Sequence, residues 1–251
     1  MTDFADEWRA WRDGREGRLR DAHGWLAITA IHWLTDDPQR FDDVPGEWVG
    51  ADDRALVTLA PGETLRSGNA ELAEGAHELG PLDYTGVQVA FGDAIAEVAG
   101  RDGSVIVRPR HPDTPLRRAY RGTPCYPPDA AWVKAGRFEA YPTVDGEAVG
   151  EVRFVHDGAE RRLVAWGESD GSLWILFRDA TSGVTTYAAN RQLLVDPPPR
   201  DGTVEIDFNR AFNMPCAYTD LVTCPLPPAE NTLPFAVEAG EQIPDLGAGR
   251  P

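Results

Sequence analysis

Lysine is almost missing from this chain. Lys134 is the only one, so arginine carries nearly all of the 24 basic positions, against 41 acidic residues and a formal net charge of −17. Such a balance repels polyanions, which excludes nucleic acid and anionic membrane surfaces as partners. Salt screens self-repulsion of this size, so a halophilic source is the expected origin of the acidity, ahead of an acidic functional surface. Cysteine is scarce too. Three residues, at 125, 216 and 224, in a chain of 251 with no secretory signal, give no disulfide framework and leave buried free thiols as the expected state. Long apolar runs are lacking: nothing approaches the ~20 residues of a membrane helix. The opening Met1-Thr-Asp-Phe-Ala-Asp-Glu-Trp8 has no basic stretch followed by an apolar one. The expectation is a cytoplasmic globular protein. Neither a Walker loop, a Rossmann glycine pattern nor H-E-x-x-H occurs, and no repeat or low-complexity tract stands out, so no cofactor is implied.

What is present is enough apolar material for a sizeable core: 42% hydrophobic residues, including eight tryptophans. Residues 2–20 predict a helix, with Asp3, Asp6 and Glu7 in the first turn and Arg15, Arg18 and Arg20 toward the end, weakened beyond Asp13 by Gly14 and Gly17. Phe4, Trp8 and Trp11 recur at spacings of four and three and form one packing face. The apolar run 25–34 reads as a buried strand or a short core helix, and His32 inside it as a hydrogen-bonded core histidine rather than a ligand.

From 35 to 115 the chain breaks into short strands near 48–49, 56–59, 63–65, 87–91, 94–98 and 104–108, with Gly92-Asp93 and Arg101-Asp-Gly103 as hairpin connections, which predicts a β-sandwich. An irregular connection follows, whose Arg117, Arg118 and Arg121 form a basic patch suited to an anion or to pairing with acidic groups. The second half predicts strands at 132–141, 150–155, 161–166, 172–177, 185–187, 191–195 and 203–208 in meander order, which curl into a half or complete barrel. After Asp207, prolines at 215, 225, 227 and 228 forbid regular structure, while Phe208, Phe212, Met214 and Tyr218 need burial; this reads as an extended strap docked on the sheet. The expected organisation is therefore 1–34 for the helix and apolar segment, 35–115 for the sandwich-like half, and 116–251 for the barrel-like half with its strap.

Candidate chemistry concentrates near that strap. Polar residues where an apolar strand is expected point to an ion-pair network or a ligand pocket lined by Arg178, Asp179, Tyr187, Arg191, Asn209, Arg210, Asn213 and Glu230. Cys216 and Cys224 read as inert thiols, a redox pair or metal ligands; their separation of eight does not match C-x₂₋₄-C hooks, so no metal is expected. Gly167-Glu-Ser-Asp-Gly171 fits G-x-S-x-G but lies between two strands, where it reads as a hairpin turn and not a nucleophile elbow. No residue is assigned a catalytic role.

Phe177-Arg-Asp-Ala-Thr-Ser-Gly-Val-Thr-Thr-Tyr187 and the strap strings Asp207-Phe-Asn-Arg210, Met214-Pro-Cys-Ala-Tyr218 and Cys224-Pro-Leu-Pro-Pro-Ala-Glu-Asn231 resemble the family called domain of unknown function 1684 (DUF1684). Trp8-Arg-Ala-Trp11, Gly24-Trp-Leu26 and Trp33-Leu34 are similar to the opening of that family. The resemblance implies a fold and no activity. The N-terminal half is also similar to a forkhead-associated β-sandwich, a module that reads phosphothreonine through Gly-Arg, Ser-x-x-His and Asn-Gly; between 41 and 108 only Gly100-Arg101 matches. The sequence thus points to a β-rich protein with a pocket for a small polar or anionic ligand in its C-terminal half, the alternative being an interaction module that works through the N-terminal sandwich.

Overall fold

A computed structural model describes residues 3–142 and 148–246. The fold is mainly β, with one long N-terminal helix and three antiparallel sheets. Helix α1 (Phe4–Leu19) runs through Gly14 and Gly17. Its tertiary anchors outweigh the ~1 kcal/mol that each glycine costs a helix interior: Trp11 packs its ring edge on Phe212 at 6.3 Å, Trp8 Nε1 donates to the Asn209 carbonyl at 3.0 Å, and Arg15 is buried.

Residues Arg18–Tyr120 form one compact unit. Its strands are β1 (His32–Trp33), β2 (Gln39–Phe41), β3 (Val44–Ala51), β4 (Arg54–Leu59), β5 (Leu65–Ser67), β6 (Ala70–Leu72), β7 (Gly75–Leu79), β8 (Val87–Phe91), β9 (Ala94–Arg101) and β10 (Ser104–Arg110). They make a six-stranded sheet in the order β1-β10-β9-β8-β5-β6 and a four-stranded sheet in the order β2-β3-β4-β7. Alternation drives the four-stranded sheet, whereas β9 and β10 of the other sheet are largely buried on both faces. In β4, Ala55, Val57 and Leu59 are buried while the residues between them are exposed, and they share one core with Trp48, Val89, Val98 and Val107. Asp102 and Gly103 join β9 to β10 with φ near 50° and 78°, the left-handed pair a tight hairpin requires. The strands β2, β6 and β7 escape sequence patterning because they are short and polar. The 25–34 run resolves into a 3₁₀ turn at Trp25–Ala27 followed by β1, and the basic connection contains α2 (Pro115–Ala119), capped by Thr114.

Among the described residues, those up to Gly17 together with those from Arg121 to Leu246 form the second compact unit. Its strands are β11 (Val133–Ala140), β12 (Ala148–His156), β13 (Ala159–Gly167), β14 (Leu173–Phe177), β15 (Arg191–Val195), β16 (Thr203–Asp207) and β17 (Phe212–Asn213), in the sheet order β16-β11-β12-β13-β14-β15-β17. The meander from β11 to β15 is as the sequence predicts, and Asp157-Gly158 and the 167–171 stretch are hairpin turns within it. Of the two forms expected from sequence, half or complete barrel, the sheet takes the first: it is a curled half-barrel, with β16 and β17 at opposite ends of the strand order. Its core takes in Phe208, Leu233, Val237 and Ala239, with Phe235 against it. Residues 185–187 are not a strand, because the Thr181 carbonyl gathers the amides of Val184, Thr185 and Thr186 into a tight turn.

Candidate functional site

The strap is held by a buried polar network. Arg191, at the start of β15, donates from Nη2 to Asp179 Oδ2 at 2.8 Å and to the Val237 carbonyl at 3.0 Å, and from Nη1 to the Ala239 carbonyl. Both side chains are fully buried. Burial lowers the proton affinity of Arg191, and the charge of Asp179 opposes that effect. Asp179 Oδ1 accepts from Thr181 N, Thr181 Oγ1 and Val237 N. Three of these hydrogen bonds from Arg191 and Asp179 to main-chain groups order 237–239, while Arg191 Nε is buried without a partner.

A second hub is Glu241. Its Oε1 accepts from Arg15 Nε at 3.1 Å, and its Oε2 from Asn213 N at 2.7 Å and Tyr218 Oη at 3.2 Å. Arg15 lies 4.8 Å from the Phe212 ring centroid; burial works against its charge, but Glu241 and Tyr218 raise its proton affinity above the usual arginine value. Asn213 Nδ2 reaches the Gln242 carbonyl, Asn209 exchanges hydrogen bonds with the main chain of Asp129, and Asn231 does so with Val164.

Of the eight residues singled out from sequence, the fold brings Asp179, Arg191 and Asn213 into this network and buries Asn209 as a main-chain clamp. The others lie apart from it. Arg178 and Glu230 are exposed, Arg210 is 42% exposed and pairs with Asp207 at 3.2 Å, and Tyr187 packs beside Leu176, Met214 and Cys216. Glu241 and Arg15 were missed because nothing local to either sequence position betrays a partner more than 200 residues away.

The thiol expectation is corrected as well. Cys216 and Cys224 are joined in a disulfide with Cα atoms 5.9 Å apart, because the 3₁₀ turn at Pro215–Ala217 folds the strap back on itself. Cys125 remains a free thiol. Burial pushes its pKa up to about 12, even though Arg12 contacts its sulfur. Among the described residues no group of three or more His, Cys, Asp or Glu side chains is arranged to hold a metal.

A different constellation occupies the six-stranded sheet. Glu97 and Arg108 are direct cross-strand partners, Arg110 lies two residues along on the same face, and Arg101 lies four along from Glu97. All three guanidiniums converge on one carboxylate. Arg101 Nη2 is 2.7 Å from Glu97 Oε1, Arg108 Nη2 is 2.6 Å from the same oxygen, and Arg110 Nη2 donates to Oε2. Glu97, Arg101 and Arg108 are buried, and Arg110 is nearly so, its side chain 11% exposed. The Trp25 ring centroid lies 5.6 Å and 5.0 Å from Arg108 and Arg110, and Tyr84 3.8 Å from Arg101. Burial works to raise the pKa of Glu97, but the guanidiniums of Arg108, Arg110 and Arg101 together hold it below the usual carboxylate range. Burial, with the charges of Arg108 and Arg101 beside it, lowers the proton affinity of Arg110 despite Glu97. The Nε atoms of Arg101 and Arg110 are buried without a hydrogen-bond partner. The arginines of the 117–121 patch behave differently: Arg117 is spent on the carbonyls of Arg20, Asp21 and Pro112, and Arg118 pairs with Asp113. A signal for the Glu97 cluster did exist in the sequence: charged residues at 97, 101, 108 and 110, all on one face of two otherwise largely apolar strands.

Residues 118–242 match the family described as "Protein of unknown function (DUF1684)". Among solved structures the chain is similar to the solution NMR structure of an uncharacterized protein from Haloarcula marismortui, with 30% sequence identity over 50% of this chain and 78% of that one and a TM-score of 0.45. No curated protein matches the chain. Among the described residues no helix is long and apolar enough to cross a membrane.

Proposed function

The chain belongs to the DUF1684 family, whose description carries no activity, and we propose that this member binds a small anionic ligand on the outer face of its six-stranded sheet, around Arg108 and Arg110. One observation carries the reading: three guanidiniums are gathered on the single carboxylate of Glu97 in a buried setting, inside a protein whose net charge is −17. Each charge withdrawn from water costs several kcal/mol unless paired, so two surplus positive charges are an unbalanced arrangement that a bound anion corrects. The unpartnered Nε atoms of Arg101 and Arg110 are spare donors in the same place. The ligand class is the one expected from sequence. Its position shifts from the strap, where Asp179, Arg191, Asn209 and Asn213 are engaged in anchoring the chain to itself.

In this reading the two sheets of residues 18–120 act as a β-sandwich that presents the anion site, and the curled C-terminal sheet with its strap is a rigid body. The site precedes the residues matched to the family, so it is a property of this chain's N-terminal unit. The test is isothermal titration with inorganic phosphate at low chloride. Micromolar to low-millimolar binding that Arg110→Gln weakens at least tenfold is expected; no heat from the native protein, or equal affinity in the variant, overturns the reading. Circular dichroism of the variant controls for folding.

A further inference from the structure

The cross-strand register carries the anion site one step further. Arg66 on β5 pairs with Ala90 on β8, Ala90 with Ile95 on β9, and Ile95 with Arg110 on β10. Direct partners in an antiparallel sheet share a face, so these four residues make one row across four strands, with an arginine at each end and two apolar side chains between. At ~4.8 Å per strand the two arginine Cα atoms are roughly 14 Å apart. A groove of about 480 Å³ lies over the near part of this row, lined by Arg66, Ala90, Ile95 and Gln88 among others. Gln88 is the cross-strand partner of Glu97, so the groove adjoins the arginine cluster.

The two ends differ in character. Arg110 belongs to the cluster with surplus positive charge. Arg66 is exposed, and among the described residues no carboxylate forms an ion pair with it; its partner on the edge strand, Glu71, faces it across β5 and β6 without doing so. The groove lies on the side of Arg66 away from Glu71.

Resting on the anion-binding reading, we infer that the ligand is an elongated dianion with a short apolar body, lying over Ala90 and Ile95, with one anionic end at Arg110 and the other at Arg66. Two cationic ends select for two charges at a fixed separation. The apolar floor rejects a strongly hydrated middle. An aliphatic dicarboxylate whose carboxylates are about two strand spacings apart, ~10 Å, meets these demands, whereas a shorter one reaches only one end.

The experiment compares phosphate, succinate, octanoate and suberate by isothermal titration on the full chain and on Arg66→Ala, a surface variant whose melting curve verifies folding. The expected result is suberate bound at least tenfold more tightly than succinate or octanoate, with that preference lost in Arg66→Ala while phosphate affinity stays unchanged. Phosphate binding without a preference for suberate overturns the bridging inference and leaves the anion site standing. A preference that survives in Arg66→Ala also overturns it. Failure of all four ligands to bind removes the anion-binding reading itself.

Discussion

Glu97 and Arg108 face each other directly across β9 and β10, with Arg108 Nη2 2.6 Å from Glu97 Oε1, and two more arginines share the same carboxylate. Replacing Glu97 by Gln leaves three buried guanidiniums without a counter-charge. Stability should fall by ~3–5 kcal/mol, the usual cost of removing one partner from a buried ion pair. Urea unfolding of the full chain measures it, and added phosphate should recover part of the loss. A variant as stable as the parent contradicts the surplus-charge account.

The same carboxylate has a pH signature. Its pKa in the fold lies below its ordinary value, so its contribution is fully present above the unfolded value near 4.5 and is lost as pH falls through the folded one. Acid titration followed by tryptophan fluorescence should therefore show stability falling below about pH 4.5, and Glu97→Gln should flatten that limb.

Asp179 and Arg191 predict a different pattern. Asp179→Asn alone strands a fully buried guanidinium and should cost ~3–5 kcal/mol, whereas the double variant Asp179→Leu with Arg191→Met should recover most of it. Denaturant melts of the three proteins form the comparison. A double variant no better than the single one means that the arginine's contacts with the 237 and 239 carbonyls matter more than its charge pairing.

Thiol chemistry should be silent in the native protein. With Cys125 half-buried and its pKa near 12, and the other two cysteines bonded together, an aromatic disulfide reagent at pH 8 should react with no thiol. Denaturant should reveal one, and denaturant after reduction three. Two reactive thiols in the native state would show that the strap carries no disulfide.

Gly240 holds the strap close to the body with φ near +78°, and a Cβ there drives into the Ala211 carbonyl oxygen. Gly240→Ala combines backbone strain with that clash, so a loss above ~2 kcal/mol is expected from thermal melting. An unchanged melting temperature means that 239–241 can lift without cost, against the network seen around Glu241.

What the sequence determined alone was local. Alternation and Asp-Gly turns gave the β10 and β13 hairpins and the meander from β11 to β15, helical spacing gave α1 with its tryptophan face, and proline placed the strap. These signals act within a few residues and survive without a partner. The outcomes that depended on distant partners were decided only by the tertiary structure. Glu241 could not be matched to Arg15, nor Cys216 to Cys224, until the strap folded back; the sheet stayed open because the strap shares its core; and Arg66 could not be set against Arg110 until three strand registers aligned. A charge's meaning depends on what lies within a few ångströms, and sequence spacing does not carry that distance across strands.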